Sequence, residues 1–193
     1  MHPFLEKLHD SNNYVKLNPY EPLEQGPNLT AGVLMSTDQC VTQPQVLMST
    51  DAHIESTGYC DLFALFEIGD RASGHGGIIH GGLLATLLDE SLCRCGFVLL
   101  PHKVGVTASL NLQYKAPTPT NSQVLLHART DRVEGRKVWV KGYTYVLDQS
   151  FEGDLSDLNS TMEAELLAIE PKWYKMLLDG AAVRAEQGRQ AAC

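Results

Sequence analysis

Residues 81–98, GGLLATLLDESLCRCGFV, form a segment so apolar that the rest of the chain must be arranged around it. The leucines recur at helical spacing and cover most of the circumference, which predicts a helix that is apolar on nearly every side. Its 18 residues would span about 27 Å at a rise of roughly 1.5 Å per residue. We therefore expect other elements to enclose this helix.

The residues on both sides of this helix alternate between apolar and polar types, as strands do. One strand is predicted before the helix at residues 59–69, and the strands predicted after it cover residues 104–116, 122–134, 137–148 and 161–170. Gly135 and Arg136 form a tight hairpin connection between two of them. This order predicts an α+β fold in which an antiparallel sheet wraps around one long central helix.

The chain divides into three parts by composition. Residues 1–57 are predicted to be an N-terminal extension with a short helix at 3–9 and strands near 29–35 and 45–48. Residues 58–171 form the α+β domain, and residues 172–193 form a tail that could be helical. A length of 193 residues with 44% hydrophobic residues is enough for one sizeable core.

The net charge of −8 argues against nucleic acid as a partner, since phosphate binding needs a basic surface. Residues 101–145 reverse the sign, with seven basic and two acidic residues. This segment could contact a compact phosphate group, and a solvated strand face is the alternative.

Compartment signals are sparse. No stretch approaches the roughly 18 consecutive apolar residues of a membrane span. The first 14 residues have neither a signal-peptide core nor transit-peptide character, and the five cysteines include no C-x-x-C pair. We expect a cytoplasmic protein, or a mitochondrial one if a transit peptide has been removed.

The start of the helix carries chemistry of its own. Backbone N–H groups at Gly81 and Gly82, together with the positive end of the helix dipole, can stabilise a carbonyl oxygen that becomes an oxyanion. Close packing against a strand is the alternative reason for the glycines. Asp89 and Glu90 lie about 100° apart on the helix, so we expect at least one of them to be buried and therefore partnered or poised for chemistry. We expect Glu90 to pair with Arg94, one turn later.

Asp89 cannot serve a carbonyl bound at Gly81 of the same chain. Eight residues separate them by about 12 Å along a helix, whereas proton transfer needs a reach of about 3 Å. Two such helices packed antiparallel across a two-fold axis would bring the start of one beside the middle of the other. If the motif is catalytic, its spacing favours an obligate dimer.

Four blocks in this order, HGGLLATLLDE, VGVTASLNLQYKAPTP, EGRKVWVKG and EPKW, resemble the hotdog-fold acyl-CoA thioesterases of the PaaI-like and THEM-like superfamily, most closely a fungal branch. The resemblance covers about residues 58–174. It implies a hotdog fold, a side-by-side dimer and hydrolysis of thioesters at the dimer interface.

The resemblance also implies site residues. Gly81 would supply the oxyanion N–H, and Gly82 would permit close approach of the substrate. Asp89, nine positions after His80, would act from the partner subunit as general base or nucleophile. Thr107, at the start of the next strand, would help to orient the attacking water.

One place departs from the family pattern. An Asn or Gln often precedes the H-G-G triplet by about six positions, and Gly74 and His75 occupy that place here. We take His75 as the candidate for the second carbonyl donor. His80 can be a structural hydrogen-bonding residue or a catalytic one.

Coenzyme A and phosphopantetheine both carry phosphate, so the basic segment gains a candidate ligand. Arg136 and Lys137 in EGRK, with Lys103, are the predicted contacts. A solvated hairpin tip is the alternative.

Two rival sites are disfavoured. Cys93 and Cys95, with His75 and His80, could suggest zinc, but residues two apart on a helix diverge by about 200°. Neither Ser91 nor Cys93 has a histidine at helical spacing to activate it as a nucleophile. We expect no metal, and no cofactor besides the coenzyme A or phosphopantetheine of the substrate.

The predicted function is hydrolysis of a fatty or polyketide acyl thioester of coenzyme A or of an acyl carrier protein, by water attack with an Asp base. The expected partners are the thioester, a second copy of the chain or a tetramer, and an acyl carrier protein. The alternative is a non-hydrolytic hotdog protein that binds acyl groups or other proteins. The altered residues at 74 and 75 favour this alternative, whereas Gly81, Asp89 and Thr107 together argue against it.

Overall fold

A long helix lies on one face of a seven-stranded antiparallel sheet in the computed structural model, which describes residues 1–18, 29–35, 41–176 and 178–179. The helices are α1 (Pro3–Asp10), α2 (Asp51–Thr57) and α3 (Gly81–Phe97). The strands are β1 (Tyr14–Leu17), β2 (Gln45–Ser49), β3 (Asp61–Ile68), β4 (Ser73–His75), β5 (Ile78–Ile79), β6 (Val106–Tyr114), β7 (Ser122–Glu134), β8 (Lys137–Leu147) and β9 (Met162–Ile169).

The large sheet has the strand order β1-β2-β3-β7-β8-β9-β6, and every neighbouring pair is antiparallel. β4 and β5 form a separate small hairpin directly before α3. The predicted α+β fold, with an antiparallel sheet around the central helix, is confirmed. Gly135, with a φ of 57°, makes the predicted tight connection between β7 and β8.

The contact between α3 and the sheet depends on close approach. The leucines of α3 pack into the main core, where Leu87, Leu88 and Leu92 are almost fully buried. A Cβ atom on Gly142 of β8 would lie 2.6 Å from the Leu92 side chain. Only a residue without a side chain fits there, so this glycine sets the distance between the helix and the sheet.

The N-terminal residues extend the sheet and cover its second face. β1 pairs with β2, and β2 pairs with β3, so both continue the sheet beyond β3. α1 packs on the face opposite α3, where Phe4 and Leu5 join a second apolar cluster with Phe63. Neither β1 nor α2 was predicted from the sequence. The cap signals of α2 were nevertheless present, since the Thr50 side chain accepts from the His53 N–H and Gly58 ends the helix at a φ of 79°.

The strand predicted near residues 29–35 is wrong. Leu29–Leu34 forms a π-helical turn, closed by the Met35 N–H donating to the Thr30 carbonyl at 3.0 Å. Thr30 and Met35 are both buried. Residues five apart point to opposite faces of a strand, so a strand would have left one of these two side chains outside the core.

The predicted C-terminal helix lies mainly outside the described residues. Residues 174–176 and 178–179 are helical, and Tyr174 stacks on His102 with ring centroids 3.9 Å apart. None of the helices formed by the described residues has the length and hydrophobicity of a membrane span.

Candidate functional site

His80 is the N-cap residue of the central helix, at one end of the candidate site. Its Nδ1 atom accepts a hydrogen bond from the Gly82 N–H at 2.9 Å. The structure therefore gives His80 a capping role and occupies the Gly82 N–H. The Gly81 N–H has no hydrogen-bond partner within the described ranges. It is therefore the donor available to a ligand at this end of the helix.

Tyr114 contacts Gly81 from the edge strand β6. Its hydroxyl donates to the Gly81 carbonyl at 3.1 Å. A Cβ atom at position 81 would lie 2.9 Å from the Tyr114 ring. Position 81 therefore needs a glycine to pack against Tyr114, and the N–H of this glycine is also available to a ligand. Tyr114 was not among the predicted site residues, since its place in the sequence marks it only as a strand residue.

The second half of the site centres on Asp89. Thr107 Oγ1 donates to Asp89 Oδ1 at 2.8 Å, and the Cys93 Sγ lies 3.1 Å from the same Thr107 oxygen. These side chains line an open cleft of about 400 Å³. Thr30 from the N-terminal segment and Phe97 from the end of α3 line it too. The structure thus brings Asp89 and Thr107, two of the residues that the family resemblance implied, into direct contact.

A bulge in β6 turns Thr107 toward the helix. The pairing of β6 with β9 shifts its register between Thr107 and Ser109. Thr107 and Leu110 are an odd number of residues apart, so in a regular strand they would face opposite ways. Here Leu110 packs against the core and Thr107 reaches Asp89 on α3. An extra residue in the strand allows both, as bulges beside functional sites often do.

The neighbouring side chains of α3 have structural partners. Glu90 forms an ion pair with Arg94 at 2.7 Å, which confirms the predicted pair one helical turn apart. The expectation that Asp89 or Glu90 would be buried is wrong, since both are partly exposed where they line the cleft. Cys95 donates to the Cys60 carbonyl at 3.2 Å, on the side of α3 away from Thr107 and Cys93. No group of three metal-ligating side chains close enough to hold an ion occurs among the described residues.

The two halves of the site do not meet within one chain. α3 is continuous from Gly81 to Phe97, so Gly81 and Asp89 are separated by about 12 Å along its axis. His75 is exposed at the end of β4. No hydrogen bond among the described residues joins it to either half.

The three predicted phosphate contacts lie at the Asp89 end of the domain. Arg136 donates to the Glu170 carbonyl at 2.9 Å, and the buried Glu170 carboxylate accepts from the His102 backbone N–H at 2.8 Å. Lys103 follows His102, and Lys137 pairs with Ile169, one residue before Glu170. Arg136 therefore has a structural partner. All three basic residues surround the same end of β9.

A second polar cluster lies on the face of the sheet opposite α3. Asp61 is fully buried and accepts from His127 Nε2 at 2.8 Å and from the Arg129 guanidinium at 2.7 and 2.9 Å. Burial alone would raise the pKa of Asp61, but the hydrogen bonds from His127 and Arg129 outweigh it and lower that pKa. Nothing in the sequence pattern singled out this cluster. It joins β3 to β7.

Part of the chain is similar to proteins of a known superfamily. Residues 76–142 match the family model of the thioesterase superfamily. A Candida albicans protein described as an uncharacterized mitochondrial protein is 37% identical over 149 residues, covering 76% of this chain and 61% of that protein. The acyl-coenzyme A thioesterase THEM4 of Rattus norvegicus is 35% identical over 79 residues, or 41% of this chain and 33% of that protein.

The domain belongs to a hotdog thioesterase-like family. The matched residues 76–142 include both the H-G-G triplet at 80–82 and Asp89. A solved thioesterase superfamily protein from Shewanella loihica is similar at 24% identity, with a TM-score of 0.45, over 56% of this chain and 82% of that one. The chain spans about half the length of the first curated relatives it matches.

In this hotdog domain the strands β3, β7, β8, β9 and β6 surround α3, and β1 and β2 are additions to one edge. The N-terminal segment also supplies Thr30 to the cleft around Asp89. Sequence reasoning missed Thr30, Cys93 and Tyr114 as neighbours of the site. Each is brought there by tertiary contacts and carries no motif of its own.

Proposed function

We propose that this protein hydrolyses acyl thioesters of coenzyme A or of a carrier-protein phosphopantetheine. The observation that carries the proposal is the hydrogen bond from Thr107 to Asp89, which holds a carboxylate at the wall of an open cleft. The free N–H of Gly81 at the helix start is the second component of such a site. The match to the thioesterase superfamily supports the same reaction class.

In the proposed reaction the thioester carbonyl accepts the Gly81 N–H. Asp89 takes a proton from a water molecule, whose oxygen forms a bond to the carbonyl carbon. The resulting oxyanion is stabilised by the Gly81 N–H and by the positive end of the helix dipole. The C–S bond then breaks, and the proton held by Asp89 passes to the leaving thiolate. The products are a carboxylic acid and a free thiol.

The proposal requires two copies of the chain. Gly81 and Asp89 lie too far apart on one helix to act on one carbonyl, so the Asp89 of one subunit would serve the Gly81 of the other. β6 is an edge strand of the sheet and carries Thr107 and Tyr114. An edge strand with unpaired backbone groups is suited to pairing with a second copy.

The phosphates of the substrate would meet the basic residues of the subunit that supplies Asp89. Thr107 pairs with Ala168, next to Ile169, which pairs with Lys137. Lys103 and Arg136 border the same end of β9. We propose that these cations bind the phosphates of coenzyme A or phosphopantetheine, outside the cleft in which the carbonyl reacts.

Release of free thiol tests the proposal. Wild-type protein and the Asp89→Asn variant would be compared on a panel of acyl-CoAs of different chain length and on an acylated carrier protein. We expect the variant to lose activity by about 100-fold or more, because a general base contributes roughly 10²–10⁴ to the rate.

Asp131→Asn is the matched control, since Asp131 pairs with Lys141 on the exposed surface. It should leave activity unchanged. Full activity of Asp89→Asn would refute the role of the carboxylate. Tight binding of an acyl-CoA without thiol release by the wild type would instead establish the non-hydrolytic alternative.

We further propose a mitochondrial location for this activity in place of the cytoplasmic one. The support is the Candida relative, which is described as mitochondrial. Fractionation of cells that express the full gene product would decide between the two compartments.

A further inference from the structure

Three side chains form a hydrogen-bonded chain that ends at Asp89. Cys93 Sγ lies 3.1 Å from Thr107 Oγ1, and Thr107 Oγ1 lies 2.8 Å from Asp89 Oδ1. Asp89 and Cys93 are four residues apart on α3 and so present their side chains on one face of the helix. Thr107 reaches this face only through the bulge in β6.

The chemistry of the three groups fixes the direction of both hydrogen bonds. An ionised carboxylate can only accept, so the Thr107 hydroxyl donates to Asp89. A threonine hydroxyl has one proton, and that proton is already used. The contact between Cys93 and Thr107 is therefore a hydrogen bond in which the Cys93 thiol donates and the Thr107 oxygen accepts.

We propose that Cys93 is a positioning residue, whose thiol holds the Thr107 hydroxyl in the orientation that donates to Asp89. Its catalytic consequence rests on the proposed thioesterase function. The Asp89 Oδ2 atom has no hydrogen bond within the described residues, so fixing Oδ1 leaves Oδ2 as the oxygen that can accept a proton in the proposed reaction. Burial raises the pKa of the Cys93 thiol to about 11, which keeps the donor proton in place at neutral pH.

Kinetics of three variants test this role. Cys93→Ala removes the donor and should lower kcat about three- to tenfold, the usual effect of losing one neutral hydrogen bond. KM should change less than kcat, because the proposed effect of Cys93 on the reaction passes through Thr107 and Asp89. Cys93→Ser retains an O–H donor and should restore kcat.

A double-mutant comparison separates positioning from a general packing effect. In a Thr107→Val background the hydroxyl is gone, so Cys93→Ala should cause no further loss of kcat. An undiminished effect of Cys93→Ala in this background would overturn the proposal. Full activity of Cys93→Ala in the wild-type background would overturn it too.

The infrared S–H stretching band provides a readout that needs no enzymatic activity. The chain has five cysteines, and the difference between wild-type and Cys93→Ser spectra isolates the band of Cys93. We expect this band at the lower frequency of a donating thiol, and a move to higher frequency in Thr107→Val. The band of Cys95, which donates to the Cys60 carbonyl, should not move.

Thiol release and the infrared band together distinguish failure of the proposed function from failure of the positioning role of Cys93. A wild type that releases no thiol from any thioester refutes the proposed function, while a band that responds to Thr107→Val still establishes the donation from Cys93. An active wild type whose Cys93 band is that of an unbonded thiol refutes the positioning role and leaves the thioesterase function standing.

Discussion

Gly81 shows how one residue can meet a packing requirement and a chemical one. Its carbonyl accepts from the Tyr114 hydroxyl, and the Tyr114 ring occupies the space where a Cβ atom would be. The N–H on the other side of the same residue stays available at the helix start. Gly82, although also a glycine, has its N–H occupied by His80. The two glycines of the triplet therefore differ in what they can do.

Substitution of Gly81 tests this difference. A Cβ atom at position 81 would lie 2.9 Å from the Tyr114 ring. Since Tyr114 is 57% exposed, its ring can move away, with loss of the bond to the Gly81 carbonyl. Alanine keeps the backbone N–H, but relief of the clash with Tyr114 shifts the helix start and moves this N–H away from the oxyanion position. We therefore expect Gly81→Ala to lower kcat by about tenfold. Thermal unfolding should change little in comparison.

Gly76→Ala is the control for Gly81→Ala. Gly76 lies in the same glycine-rich segment, and a Cβ atom there would meet no atom within 4 Å. Activity equal to wild type is expected. Equal losses from the two substitutions would show that the effect comes from the loop as a whole and not from Gly81.

The strands β3 and β7 are joined by more than their backbone ladder. Asp61 of β3 accepts from both His127 and Arg129 of β7, and it is fully buried on the face opposite α3. Arg129 also lies over the Tyr59 ring at 4.4 Å. This cluster sits away from the cleft around Asp89, so its predicted effect is on stability and not on catalysis.

The Asp61 cluster predicts a particular pH dependence of stability. The pKa of Asp61 is lower in the folded protein than in an unfolded chain. Its contribution is therefore complete above the ordinary carboxyl value of about 3.9 and is lost as the pH falls through the lower folded value. At pH 7, Asp61→Asn should reduce the free energy of unfolding by about 3 kcal/mol, as breaking a buried pair does.

Urea unfolding of wild type and Asp61→Asn over a pH series measures this effect. The difference between them should be largest near neutrality and shrink below about pH 4. Asp131→Asn, which removes an exposed ion pair with Lys141, should lower the free energy of unfolding far less than Asp61→Asn does. A difference for Asp61→Asn that is independent of pH would contradict the assignment of charge to this carboxylate.

At the scale of the whole molecule, the two parts of the proposed site lie too far apart for one chain to join them. The Gly81 half lies at the start of α3 beneath Tyr114, and the Asp89 half lies in the middle of α3 beside Thr107. A rigid helix of 17 residues holds them apart. A two-fold dimer with antiparallel helices would place each half opposite its complement, which gives two shared sites.

Mixing two variants of reduced activity tests the shared site. In a mixed dimer of Asp89→Asn and Gly81→Ala chains, one site keeps an intact Gly81 and an intact Asp89, while the other has neither. Unfolding and refolding an equal mixture should restore activity to about one quarter of wild type, since half of the dimers are mixed and half of their sites are intact.

Refolding either variant with the double variant Gly81→Ala/Asp89→Asn is the control and should restore no activity, because no site then has both residues. Sedimentation velocity of the same samples should show dimers. Absence of recovery in a mixture that contains dimers would mean that each site is built within one chain.

Much of the fold follows from local patterns. The apolar helix at 81–98, the alternating strands after it and the hairpin at Gly135 are near-neighbour signals, and the structure agrees with each. The Glu90–Arg94 pair is likewise set by helical spacing. The segment at 29–35 was misjudged because its apolar residues fit a strand equally well, and only the burial of Thr30 and Met35 on one side selects the π-helical turn.

The sequence by itself determined the central helix, the antiparallel sheet and the separation of Gly81 from Asp89, since all three depend on residue periodicity and helical rise. Tertiary structure decided which side chains reach the site. The bulge that turns Thr107 inward, the thiol of Cys93 behind it and the ring of Tyr114 over Gly81 arise from contacts between distant segments. Such contacts leave no periodic signal, because they depend on how helix and strand are placed in three dimensions.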